Sequence, residues 1–185
     1  RMLDEHYVPR LRGKQQVPLV SVNSCFTHNG EGRFLEQAKE ENLVPLLDPF
    51  ARLGAELFII DAGWYSNEPW SKGFSGDWRP VAEKYPNGFR PIGEKLKSNS
   101  MDFGIWFATA RNLDRQRFLE QVDKLIQEHG MTCYRHDMNS HDESLLDLWD
   151  ELREKHPDLI WEGCCGGGRN IDLESVCRFH WHQKS

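Results

Sequence analysis

Short apolar runs recur along the chain at intervals, with amphipathic or polar stretches between them. The clearest run is Leu57-Phe58-Ile59-Ile60, unbroken after Glu56, which is the pattern of a strand covered on both faces. Phe103-Gly104-Ile105-Trp106-Phe107 has the same character, and Val17–Asn23, Thr132–His136 and Leu159–Glu162 predict three more strands. Phe179–His182 opens another. Between them, Asp114–Glu128 carries Phe118, Val122, Leu125 and Ile126 on one helical stripe and is stopped by Gly130. Ser144–Lys155 repeats the pattern with Leu145, Leu148, Trp149 and Leu152 turned inward. A helix with Lys95 and Leu96 near its middle follows Pro91, and a short one is predicted over Asp172–Cys177. The stretch from Arg33 to Leu53 predicts two short helices, broken near Asn42 and at Pro45, with Gly54 as the stop. Residues 1–16 are polar and read as a linker, leaving 17–185 as one folded unit.

Alternating buried-type strands and helices point to a parallel sheet with right-handed crossovers. An open doubly wound sheet and a (β/α) barrel both fit that order. No G-x-G-x-x-G follows the first strand, which disfavours dinucleotide binding, and the Gly166-Gly167-Gly168 turn lacks the Lys-Ser/Thr pair of a phosphate loop. Asp61 to Arg90 is long, rich in Gly, Trp and Pro, and without periodicity, which marks a functional loop.

Composition narrows the function classes. The net charge is −6, against a nucleic-acid binder that works through a basic surface. No stretch approaches the roughly 20 apolar residues of a membrane span, and the first residues lack the apolar core of a signal peptide. The five cysteines, at 25, 133, 164, 165 and 177, are odd in number and form no C-x-x-C. That favours a reducing compartment, and hence a cytoplasmic protein, over a disulfide framework or a zinc site. Seven tryptophans are many for a plain scaffold, since each buried indole needs a partner for its N–H.

In a barrel the chemistry gathers at the C-terminal ends of the strands. Those ends carry Asn23 and Cys25, then Asp61-Ala62-Gly63-Trp64, then Trp106 and Thr109, then Arg135-His136-Asp137-Met138-Asn139, then Glu162-Gly163-Cys164-Cys165. Indole faces beside carboxylates suit sugars, whose C–H faces stack while their hydroxyls donate to acids. Each residue alone has a plainer reading: an Asp past a strand is often a cap or an Asx turn, and a lone Trp is often core. Their recurrence at one end of successive strands favours a site. His180, His182, His136, His141 and Asp137 offer a metal-binding alternative, but core or surface histidines explain them more simply, and neither metal nor cofactor is expected.

These motifs resemble the α-galactosidases of glycoside hydrolase family 36, within the melibiase clan. Leu57-Phe58-Ile59-Ile60-Asp61-Ala62-Gly63-Trp64-Tyr65 is similar to L-F-x-x-D-D-G-W-F, and Gly76-Asp77-Trp78 with Tyr85-Pro86-Asn87-Gly88-Phe89 to G-D-W … F/L-P-N-G-L. Phe103–Phe107 resembles F-G-L-W-F, Tyr134–Asn139 resembles K-W-D-M-N or Y-R-Q-D-F-N, and Glu162–Arg169 resembles E-S-C-S-G-G-G-G-R. The resemblance implies a (β/α)8 TIM barrel between flanking domains, here in part: strands one to five and the start of strand six. It implies Asp137 as the catalytic nucleophile of a retaining mechanism. Asp61, Trp64, Trp106, Arg135, Asn139, Cys164, Gly166 and Gly167 are the implied substrate-binding residues, and an α-galactoside oligosaccharide or glycoconjugate is the implied ligand.

In the family the general acid/base is the Asp of an S-D pair near the end of strand six. Counting on from Asp172-Leu173, Ser185 matches the Ser and residue 186 would be the Asp, so no residue here matches that role. A fragment that is inactive alone, prone to self-association and open along its apolar barrel interior is therefore expected. Ala62 stands where the family has a second Asp, His136 stands for an aromatic residue or Gln, and the Cys25 segment replaces one that bears Trp. Losing one charge-assisted hydrogen bond costs roughly 1.5–3 kcal/mol, enough to redirect specificity. Another α-glycoside, such as an α-N-acetylgalactosaminide, and a non-catalytic sugar-binding relic are the alternatives.

Overall fold

The computed structural model describes residues 5–11, 14–15, 20–27, 34–65, 78–108, 113–137, 143–169 and 171–184. Six strands form one sheet: β1 (Ser21–Asn23), β2 (Leu57–Ile60), β3 (Asp102–Phe107), β4 (Cys133–His136), β5 (Ile160–Gly163) and β6 (Trp181–His182). They lie in chain order, and each neighbouring pair is parallel. That order decides between the two architectures. A doubly wound sheet reverses direction at a switch point, whereas a barrel sets each strand beside the last. The sheet curls into a partial (β/α)8 TIM barrel. Near the start of the chain, Arg10–Leu11 pairs antiparallel with Lys14–Gln15. Among the described residues no helix is long and apolar enough to cross a membrane.

The connecting helices are α1 (Phe34–Gln37), α2 (Glu40–Arg52), α3 (Arg90–Ser98), α4 (Arg115–His129), α5 (Glu143–Lys155) and α6 (Leu173–Val176). Local signals set their ends. The Asp114 side chain accepts the Arg117 N–H at the start of α4, and Gly130 closes it at φ 74°, a left-handed conformation that glycine adopts at no steric cost. Asp172 and Ser175 cap α6 reciprocally.

The stretch from Arg33 to Leu53 does form two helices, but the break falls at Ala38–Lys39 and not near Asn42 and Pro45. The downstream loop pins that break. The Tyr85 hydroxyl donates to the Ala38 carbonyl at 2.5 Å, and the Glu40 N–H donates to the Lys84 carbonyl at 3.0 Å. Pro45 and Pro49 then lie inside α2, where a proline costs ~3 kcal/mol. Complete burial of Leu43 and Leu47 offsets part of that, at roughly 1.5–3 kcal/mol each.

Strand residues alternate between two apolar environments. Phe58, Ile60, Phe103, Ile105, Phe107 and Tyr134 join the helices in the main core. Leu57, Ile59, Cys133 and Ile160 form a second, smaller cluster against Trp181 on the inside of the curl. Those four residues are at most 3% exposed, so the expected opening does not reach this part of the interior, while Ser21 at one edge is exposed and Trp181 at the other is half-buried. The absent side chain of Gly104 lets the neighbouring strands close over it. A Cβ there would lie 2.7 Å from Ile59 Cγ1 and 3.4 Å from Cys133 Cβ.

Gly93 marks a second close approach, between α3 and α4, where an added Cβ would lie 2.3 Å from the His129 carbonyl oxygen. On an exposed helix Gly→Ala stabilises. Here Gly93→Ala should lower stability by about 1–3 kcal/mol through overpacking, read as a drop in the chemical denaturation midpoint. An unchanged or raised midpoint would refute this contact.

At the β5–β6 edge the Trp161 N–H donates to His180 Nδ1 at 2.9 Å. Burial, reinforced by Arg153, lowers the His180 pKa to about 4. The unfolded chain therefore takes up a proton near the ordinary histidine value that the folded chain refuses. This contribution to stability is complete above that value and is lost as pH falls towards 4. Thermal melts should show His180→Gln to be less sensitive to pH than the parent chain across this window. A parallel pH dependence would contradict the assignment.

Candidate active site

One step towards the C-terminal edge, the inward positions change from apolar to polar. Trp106, Arg135, Glu162 and Trp181 pair in register across β3, β4, β5 and β6, and Asp61, just past β2, extends the row. Arg135 is 3% exposed. Its Nη1 donates to Glu162 Oε1 and, at 2.5 Å, to Gln183 Oε1, while its Nε lies 3.5 Å from Asp61 Oδ2. One guanidinium thus sits between two buried carboxylates. Burial alone would disfavour its charge, but Glu162 and Asp61 reverse that and hold it protonated. The two carboxyls show the opposite balance. Burial raises the pKa of each, and Arg135 only partly opposes it.

Asp61 is tied further into this frame. Its Oδ2 accepts from Asn23 Nδ2 at 2.6 Å, its Oδ1 accepts from the Ala62 N–H at 2.9 Å, and its own N–H donates to Ser24 Oγ at 2.9 Å. The same Asn23 caps the short 3₁₀ turn Ser24–Phe26 by accepting the Cys25 N–H. The end of β1 and the end of β2 are therefore positioned together.

Asp137 stands one residue past β4, anchored by its N–H to the Phe107 carbonyl at 2.9 Å. Its Oδ2 accepts from Trp106 Nε1 at 3.1 Å and its Oδ1 from the Gly166 N–H at 2.7 Å. The glycine turn makes the second bond: Gly166 and Gly167 take φ values of 62° and 82°, and the backbone can then bend back over the carboxylate. Cys164, at the start of that turn, is buried and hydrogen-bonds Asp137 through its side chain.

The structure gathers Asp61, Trp106, Arg135, Asp137, Cys164 and Gly166 at one end of the sheet. Trp64 lies apart from the inner row. It is fully buried among Tyr65, Trp78, Phe89 and Phe107, and its Nε1 donates to the Trp106 carbonyl at 2.9 Å. Ala62 is also fully buried in the main core. Asn139, Thr109, Asp77 and His141 lie outside the described residues. Sequence reasoning assigned no role to Glu162 or Gln183. Their signal was the period of two, since Glu162 faces Arg135 in register and Gln183 follows Trp181 by two. Among the described residues no three His, Cys, Asp or Glu side chains form a metal-binding group.

The sequence pattern of the melibiase family matches residues 25–132, more than half of the chain. The chain belongs to the melibiase family. Two curated relatives of this chain are α-galactosidases. That of Escherichia coli is 26% identical over 189 residues, covering 75% of this chain and 27% of its own length. Mel36A of Lactobacillus acidophilus is 22% identical over 223 residues, covering 90% and 30%. A variant of the GH36 α-galactosidase AgaA of Geobacillus stearothermophilus, solved with stachyose, superposes with a TM-score of 0.80 at 18% identity. That match covers 99% of this chain and 33% of AgaA. The chain thus spans less than a third of the length of these two curated relatives.

Cys25 reports on the electrostatics of the site. Burial, reinforced by the Asp61 carboxylate, pushes its thiol up to about 12, so it stays protonated where an ordinary thiol begins to ionise. In mildly alkaline buffer, iodoacetamide should modify Cys25 at least ~10-fold more slowly in the folded than in the denatured chain, followed by peptide mass spectrometry. Equal rates would contradict this environment.

Proposed function

We propose that this melibiase domain carries the nucleophile of a retaining glycoside hydrolase acting on terminal α-D-galactosides. The observation that carries the reading is the setting of Asp137. Its carboxylate is held by the indole N–H of Trp106 and the backbone N–H of Gly166, at the C-terminal edge of a row that also contains Asp61 and Arg135. One Asp137 oxygen attacks the anomeric carbon as the bond to the leaving oxygen breaks. A second carboxylic acid protonates that oxygen. The glycosyl ester is then cleaved by water, with the second group now acting as base, and Asp137 leaves as the carboxylate. Retention requires the two carboxyls to stand roughly 5–5.5 Å apart, within reach of Asp137 from a neighbouring strand end.

Asp61 holds sugar hydroxyls, while Cys164, Gly166 and Gly167 form the wall beside the attacked carbon, where bulk would collide. Trp64 acts at one remove, by seating Trp106. Oligosaccharides ending in α-galactose are the proposed substrates, a reading supported by AgaA structures solved with raffinose and with stachyose. The burial of Ala62 in the apolar core favours this substrate class over a redirected specificity, because a methyl group there packs the loop and removes nothing from the inner row. The free thiols of Cys25, Cys133, Cys164 and Cys177 support a cytoplasmic setting.

In the longest form of the protein that turns over an aryl α-galactoside, Asp137→Asn should lower kcat by about 10³-fold or more while leaving the melting temperature unchanged. Turnover by Asp137→Asn near the parent rate would refute the nucleophile, and sugar binding with no turnover in every form of the protein assayed would favour a binding relic.

A further inference from the structure

The charges beside Asp137 pose a problem that a nucleophile alone does not answer. Arg135 precedes Asp137 by two residues, so the two side chains leave the strand on the same side. An arginine so close to a carboxylate readily closes a bidentate pair with it. Such a pair would occupy the attacking oxygens and lower their basicity. Here the guanidinium is turned along the row. It reaches Glu162 on β5 and Gln183 beyond β6 on one side, and Asp61 on the other. The groups that meet Asp137 include two neutral donors, Trp106 Nε1 at 3.1 Å and the Gly166 N–H at 2.7 Å. Glu162 is itself only 2% exposed, and a carboxylate that deep is tolerated only with a partner.

We propose that Glu162 is a positioning residue: with Gln183 and Asp61 it holds the Arg135 guanidinium along the row, so that Asp137 keeps a positive charge nearby without forming an ion pair with it. The inference rests on Asp137 being the nucleophile. Titratable and charged groups face Asp137 from four described segments: Arg135 on β4, Asp61 after β2, Cys25 after β1 and Cys164 after β5. Arg135 is the cation among them. Neutralising Glu162 releases one side of the clamp and lets the guanidinium swing towards Asp137. The nucleophile is then less basic and partly engaged. Turnover falls, and the acidic limb of the pH profile moves to lower pH.

The test compares Glu162→Gln, Glu162→Asp and Asp137→Asn in the longest form of the protein that turns over an aryl α-galactoside. Glu162→Gln should lose ~10- to 100-fold in kcat with little change in KM, and its acidic limb in kcat/KM should shift downwards. Glu162→Asp keeps the charge and should recover most of kcat and the parent limb. Parent kcat and an unmoved limb in Glu162→Gln, with Asp137→Asn inactive, would overturn the clamp alone. Equal losses of kcat and melting temperature in both Glu162 variants would assign the residue a purely structural role and also overturn it. Full turnover by Asp137→Asn would remove the nucleophile reading, and the clamp with it.

Discussion

Burying one guanidinium between two carboxylates sets the terms for the inner face of the sheet. Arg135, Asp61 and Glu162 are each at most 5% exposed, so none can satisfy its charge with water. Each is admitted by the others, and truncating one partner of such a set leaves an uncompensated buried charge, at about 3–5 kcal/mol. The row therefore depends on strand register. A slip of one residue between β4 and β5 would turn Glu162 towards the helices and leave Arg135 without its main partner. The apolar cluster of Leu57, Ile59, Cys133 and Ile160 holds that register from below, and Gly104 lets it close.

Above the row, aromatic packing does for Asp137 what ion pairing does for Arg135. Trp64 is fixed in the outer core and donates to the Trp106 backbone, and Trp106 in turn donates to Asp137. A residue buried on the helix side thus influences a carboxylate on the barrel side. The glycine turn after β5 completes the arrangement from the opposite direction, its positive φ values letting the Gly166 N–H reach the carboxylate. The Trp106 indole, the Gly166 N–H and the Cys164 thiol thus all bear on the Asp137 carboxylate, while the Arg135 guanidinium is turned along the row.

Much of this was legible from residue order. The unbroken run Leu57–Ile60 marked a doubly covered strand, and the stripe of Phe118, Val122 and Leu125 with Gly130 beyond it marked α4 nearly to the residue. Asp61, Arg135 and Asp137 stood out because charge follows apolar runs at the strand ends. What sequence could not show was governed by distant contacts. The break at Ala38 depends on Tyr85, which lies 47 residues away. Continuous apolar strands carry no mark of which face is inward, so Trp64 and Trp106 looked alike although only Trp106 reaches the row. Glu162 looked like any carboxylate until register placed it opposite Arg135.

The central claim is that Asp137 forms a covalent bond to the sugar. The most direct test is peptide mass spectrometry of the longest active form after reaction with an activated α-galactoside whose glycosyl-enzyme hydrolyses slowly. A hexosyl adduct on the peptide carrying Asp137, absent from Asp137→Asn, is the predicted result. Turnover of the reagent with the adduct on another carboxylate would contradict the account.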